Sequence, residues 1–123
     1  MNSYVLLLQA CGLSHREAAA LHGVSIDAVK SWSSGRSPAP ADAIKDLRAL
    51  WWKIRRTANR AIAAIRESRA AGKGGEVVVG FPTDDAGAQV LGLPSLGAWR
   101  AVTAILVAKV ETPMRFEALR SGT

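Results

Sequence analysis

SHREAAALHGVSIDAVKSW, residues 14–32, is built like two short helices joined by a tight turn. Ser14 and Glu17 form the Ser-x-x-Glu capping box, in which each side chain satisfies a backbone N–H of the other at a helix start. Gly23 supplies the left-handed residue that ends such a helix, and Ser25 is a cap for the next. Ala18, Ala19, Leu21, Val24, Ile26, Val29 and Trp32 fall where the two helices would cross, with Ala19 small enough to permit close approach. A small residue, a turn glycine and apolar positions at fixed offsets from one start predict a helix-turn-helix whose second helix reads DNA. The plainer alternative is a pair of capped helices in a small helical protein.

Upstream, the apolar run Tyr4–Leu8 is too short to cross a bilayer, has no Lys or Arg before it and no recognisable cleavage site. It is expected to form the first helix of the same bundle, ended by Gly12, in a cytoplasmic protein without a signal peptide. Downstream, Pro38 and Pro40 block one helix and favour the first turn of another, with Asp42 set against the helix dipole. A long helix is predicted from there to about Ala71. Along it Ile44, Leu47, Trp51, Ile54, Ala58, Ala61 and Ile65 recur at steps of three and four, a heptad seam that calls for a partner helix.

Gly72-Lys73-Gly74-Gly75 reads as a turn, and the Gly-x-x-x-x-Gly-Lys-Ser/Thr phosphate loop is absent. EVVVGF, residues 76–81, reads as one short strand whose missing edge a second copy of the chain can supply. Thr83-Asp84-Asp85 is a cap for a short helix, and Leu96–Val110 is the last helix. Its apolar arc is wider than one small monomer is expected to cover, so Val78, Trp99, Val102, Ile105 and Leu106 are the expected dimer interface. The tail after Pro113 is expected to fray.

The fold expected from these signals is mostly α. It comprises an N-terminal helix-turn-helix bundle over residues 1–50, a long connecting helix, and a small C-terminal α/β dimerisation module over residues 51–123.

The 123 residues carry a formal net charge of +6. Residues 41–73 alone hold nine Lys and Arg against three acids, so the basic excess sits on the long helix. An anionic partner is favoured, nucleic acid first. Off the seam, Lys53, Arg55, Arg56, Arg60, Arg66 and Arg69 are either simply solvated or face phosphates. Trp52, also off the seam, is a candidate stacking platform, whereas Trp32, Trp51 and Trp99 read as core or interface.

The lone Cys11 forms no intramolecular disulfide, and Cys11, His15 and His22 are one short of the four ligands of structural zinc. No metal or cofactor is expected. Both histidines lie on the predicted helix-turn-helix and Cys11 in an apolar helix, so no converging acid, base and nucleophile suggests an enzyme. His22, at an interior offset, is expected to be packed and hydrogen-bonded.

Residues at the start and outer face of the second helix are the expected base readers: Ser25, Asp27, Lys30, Ser31 and Ser34. Lys30 can donate to guanine O6 and N7, Asp27 can accept from cytosine N4, and the serines can do either. Asp27 and Ser25 also have purely structural readings, as a helix-dipole partner and a cap. His15, Arg16 and Arg36 are placed for phosphates, where contacts position the protein without specifying sequence.

With Trp32-Ser33-Ser34-Gly35-Arg36 followed by Pro38 and Pro40, residues 3–50 resemble the Cro/C1-type (XRE) helix-turn-helix regulators. Ser33 departs from that family's usual Glu. The order of long helix, glycine break, strand and a helix opening Gly97-Ala98-Trp99-Arg100 is similar to the two-part autorepressors encoded beside anti-CRISPR genes. That resemblance implies a homodimer that covers a palindromic operator in double-stranded DNA and represses its own operon. Two other readings remain open at this point: an antitoxin-like interaction module with a DNA-binding headpiece, and an RNA-binding regulator whose basic long helix grips an RNA backbone.

Overall fold

Capping decides where the helices begin in this computed structural model, which describes residues 1–72 and 74–119. The elements run α1 (Ser3–Ala10), α2 (His15–His22), α3 (Ile26–Ser34), α4 (Ala41–Ala70), β1 (Val77–Phe81), α5 (Asp85–Val90), α6 (Leu96–Lys109) and β2 (Met114–Ala118). Asn2, Ser14, Ser25, Asp84 and Ser95 each accept a backbone N–H at a helix start, satisfying donors that have no partner within the helix. At the α2 start the box is reciprocal: Ser14 Oγ accepts from the Glu17 amide at 3.1 Å, and Glu17 Oε1 from the Ser14 amide at 2.9 Å. Gly23 ends α2 at φ 70°, ψ 35°, the left-handed conformation that side-chain-bearing residues resist.

α4 spans 30 residues, about 45 Å at 1.5 Å per residue, and carries the core. Its buried stripe is Ala43, Leu47, Leu50, Ile54, Ala58 and Ile62. These positions step by four more often than by three, so the stripe does not keep the roughly 3.5-residue period of a coiled coil. Of the expected seam, Leu47, Ile54 and Ala58 are buried, and Ile44, Trp51, Ala61 and Ile65 only half-buried.

The stripe finds its partners within the chain. Near its start the Cys11 thiol, just past α1, donates to the Leu47 carbonyl at 3.5 Å. Further along, Gly92 lies beside Lys53 and the Arg69 guanidinium bonds the Thr112 hydroxyl, so α6 runs beside α4 in the same direction. Burial of Val102 and Leu106, each 4% exposed, follows from that packing. Both are covered inside one chain and have no surface to offer a second copy, which corrects their assignment to a dimer interface. Trp99 and Ile105 pack partly against the same core, and Val78 is exposed.

One buried cluster runs from Tyr4 through Leu47 and Ile54 to Leu93, Ala98 and Val102, crossing the boundary expected near residue 50 without a break. The strands make a second correction. β1 pairs with β2 in parallel, Val77 opposite Met114 through Phe81 opposite Ala118, so the partner of EVVVGF is the segment after Pro113 that was expected to fray. α5 and α6 form the crossover that a parallel pair requires. Of the glycine-rich break, Lys73 lies outside the described residues, as do residues 120–123. Among the described residues no helix is long and apolar enough to cross a membrane.

Candidate nucleic-acid interface

The turn between α2 and α3 is held from below by a polar network rather than by apolar contact alone. His22, its side chain 2% exposed, is hydrogen-bonded through Nδ1 to Asp46 Oδ2 at 2.9 Å and through Nε2 to the Tyr4 hydroxyl at 3.0 Å. The two bonds use both ring nitrogens and tie α1, α2 and α4 together. Burial pushes the Tyr4 phenol up to about 12. The Trp32 indole stands edge-on to both the Tyr4 and His22 rings, and Asn2 Nδ2 donates to the Trp32 carbonyl at 3.0 Å, fixing the end of α3 to the start of α1. His22 is therefore the packed, hydrogen-bonded histidine its offset suggested. Among the described residues no three His, Cys, Asp or Glu side chains gather as metal ligands. Burial also pushes the Cys11 thiol up to about 11, so it stays protonated at neutral pH.

Ala18, Ala19 and Val29 are buried at the α2–α3 crossing, and Leu21 and Trp32 pack against them. Val24 and Ile26, expected in the same crossing, are exposed at 38% and 36%. They stand at the mouth of the turn and the first position of α3. Their periodicity marked them as core; only the tertiary packing puts them outside.

The five expected base readers separate by what their polar atoms already do. Ser25 Oγ is committed to the Ala28 amide at 3.1 Å. Ser31, half-buried, shares a hydrogen bond with Ser37 and accepts from Arg36 Nε at 3.4 Å. Ser34 Oγ turns back to the Ser31 carbonyl at 3.2 Å. These three serines shape the helix and the turn after it. Asp27 and Lys30 remain exposed, and among the described residues neither makes an ion pair.

Of the expected phosphate contacts, His15 and Arg16 are exposed in the first turn of α2, and Arg36 is exposed just past α3 with its Nε directed to Ser31. The acid of that first turn faces elsewhere. Glu17 Oε2 accepts from the Gly97 amide at 3.0 Å, so one carboxylate caps both α2 and α6 and its charge is spent on N–H donors. Burial pushes Glu17 up, and hydrogen bonds from Ser95, Ser14 and Gly97 outweigh it and hold the carboxyl below its ordinary value. At the same contact Gly12 and Gly97 touch backbone to backbone; a Cβ on Gly97 would overlap the Gly12 carbonyl oxygen. The Glu17–Gly97 link, eighty residues apart in the chain, had no local signal in the sequence beyond the capping box itself.

No protein-family model matches this chain, and no curated protein matches it.

Proposed function

We propose that this chain is a sequence-specific DNA-binding repressor that acts as a homodimer on an inverted repeat, with α2 and α3 as its helix-turn-helix. The observation that carries the reading is the division of labour on α3. Its inner side is fixed by Val29, Trp32 and the serine bonds, while Ile26, Asp27 and Lys30 are exposed at its start and outer face, with Arg16 exposed in the first turn of α2 and Arg36 just past α3. A rigid helix with an apolar, an acceptor and a donor side chain can distinguish bases in a major groove, each good contact contributing about 1–3 kcal/mol of discrimination. Repression of its own operon is the biological role that the resemblance to two-part autorepressors implies.

The test is fluorescence anisotropy at about 150 mM salt with a duplex from upstream of the protein's own gene and a scrambled duplex. A preference of roughly a thousandfold for the first supports the reading. Equal affinity for both, falling together as salt rises, contradicts it.

A second reading has its own observation. Lys45, Arg48, Arg56, Arg60 and Arg66 are exposed along α4 around Trp52, which is 57% exposed and held edge-on against Trp51. None of these cations is ion-paired among the described residues. Such a stripe suits the backbone of an RNA, with Trp52 available to stack on a base. Competition between the promoter duplex and the RNA leader of the same gene separates the two ligands: displacement places them on one surface, and simultaneous binding places RNA on α4.

A further inference from the structure

The small sheet has two outer edges, and they are not equivalent. The Val77 amide donates to the Pro113 carbonyl at 3.0 Å and the Leu119 amide to the Phe81 carbonyl at 2.7 Å. With the parallel register, those two bonds fix which backbone groups face inward: Val77, Val79 and Phe81 on β1, Arg115 and Glu117 on β2. Val78 and Gly80 therefore turn their N–H and C=O groups to the outer edge of β1, and Met114, Phe116 and Ala118 do so on β2. Pro82, next in the outward-facing series of β1, brings no N–H, a guard that edge strands commonly carry. The prolines do not treat β2 alike. Pro113 falls in its inward-facing series, so the outer edge of β2 keeps every donor and acceptor. Among the described residues no further strand lies along it.

The side chains of β2 are self-complementary. In an antiparallel pairing of β2 with a second β2 about a two-fold axis at Phe116, Phe116 faces Phe116, Met114 faces Ala118, and Arg115 faces Glu117. The outward series 114, 116, 118 then forms the hydrogen-bonded pairs, roughly six backbone bonds in all, and Arg115 and Glu117 fall on the closer non-hydrogen-bonded pairs where opposite charges attract. Arg115 and Glu117 are half-exposed and already adjacent within one strand, and Phe116 is 40% exposed. Any register shifted by two residues sets like charges or an unmatched charge across the axis.

We propose that the outer edge of β2 is where a second copy of this chain binds, joining two parallel pairs into one four-stranded sheet through an antiparallel β2–β2 contact centred on Phe116. The inference rests on the homodimeric part of the function proposed above and names the surface. It moves the contact from the apolar arc of α6, which α4 covers, and from the edge of β1, which Pro82 interrupts.

The test uses the full chain without DNA. Sedimentation equilibrium over about 1–100 μM, a range spanning ordinary protein self-association, is expected to give a dimer for the wild type. E117R, which sets arginine against Arg115 across the axis, is expected to weaken association at least about tenfold. R115E/E117R, which restores opposite charges in reverse, is expected to recover it. Phe116→Pro removes an outward donor without touching a bond to β1 and is expected to weaken association as much, with its helical circular dichroism unchanged. As an independent measure, F116C is expected to oxidise to a covalent dimer, because hydrogen-bonded antiparallel pairs bring Cα atoms to about 5.5 Å. V78C, on the β1 edge, is expected not to.

A wild-type monomer throughout this range overturns both the inference and the homodimer. A dimer that E117R and F116P leave intact, or that V78C crosslinks in place of F116C, overturns the inference alone. If an unrelated extended peptide rather than a second copy occupies the edge, the wild type is a monomer and the inference falls in the same way.

Discussion

The α2–α3 end, proposed to read DNA, and the sheet end of this chain are stabilised in different ways. Around α2 and α3 most polar groups below the exposed face are paired, by two serine caps, the Glu17 box, the Tyr4–His22–Asp46 chain and the Ser31–Ser37 bond, while Ser33 Oγ is buried without a partner among the described residues. At the sheet, two five-residue strands meet across a crossover of more than thirty residues, β1 is mostly half-buried and β2 mostly exposed, and among the described residues no further strand lies along either edge. The proposed base reading requires side chains held in one orientation, for which such pairing is suited. Self-association requires unsatisfied groups on the surface, and a two-stranded sheet leaves them. The two ends are joined by α4 and by the Glu17–Gly97 link, so the orientation of α3 is set relative to the sheet by two contacts rather than one hinge.

Breaking the element common to both ends has the largest expected effect. Leu47, on α4, is fully buried within the continuous core, and Leu47→Ala is expected to cost about 2–5 kcal/mol, read as a lower urea midpoint in a single transition. Two separated transitions would show that the ends fold independently, contrary to their continuous core. Gly97→Ala is next. Its Cβ has no room against Gly12, and the expected loss is about 1–3 kcal/mol even though alanine favours a helix. The accompanying sign is faster hydrogen exchange at residue 97, whose amide loses Glu17. Tyr4→Phe removes the hydroxyl bonded to His22 Nε2 from a nearly enclosed ring and is expected to cost about 1 kcal/mol.

Acid sharpens the same contrast. The folded carboxyl of Glu17 lies below its unfolded value of about 4.3, so its contribution is complete above that value and is lost as pH falls through the folded one. Thermal unfolding followed from pH 6 to pH 3 is expected to fall more steeply for the wild type than for E17Q; parallel curves would refute the role of Glu17 as a double cap. Smallest is Arg115→Ala, whose exposed ion pairs with Glu76 and Glu117 are screened by water. Its unfolding midpoint is expected to stay at the wild-type value while self-association weakens.

This contrast also explains what the sequence made legible. The capping box of Ser14 and Glu17, the cap of Ser25 and the turn at Gly23 reach no more than a few residues, and the helices they bound fall where their pattern placed them. The long helix and the last helix begin where Pro40 and the residues before Leu96 indicated. Long-range pairing left no such signal. Nothing near Met114 announces that its partner is Val77, so β2 read as a fraying tail, and the apolar arc of α6 read as intermolecular because α4 was assigned a partner outside the chain. At the candidate site the residue types at the start of α3 and the capping role of Ser25 were legible, but the commitment of Ser31 to Ser37 and of Ser34 to the Ser31 carbonyl depended on geometry. Ile26 and Val24 were hidden by their own hydrophobicity.

Selection of bound sites from a random duplex library, by wild type and Lys30→Ala in parallel, decides whether α3 reads DNA. The wild type is expected to enrich an inverted repeat whose half-site centres lie one helical turn, about 34–36 Å, or a multiple apart, and Lys30→Ala to relax one position in each half-site. No enrichment by a folded wild type, or an enriched site that Lys30→Ala leaves unchanged together with its affinity, would contradict the assignment of α3 as the helix that reads DNA.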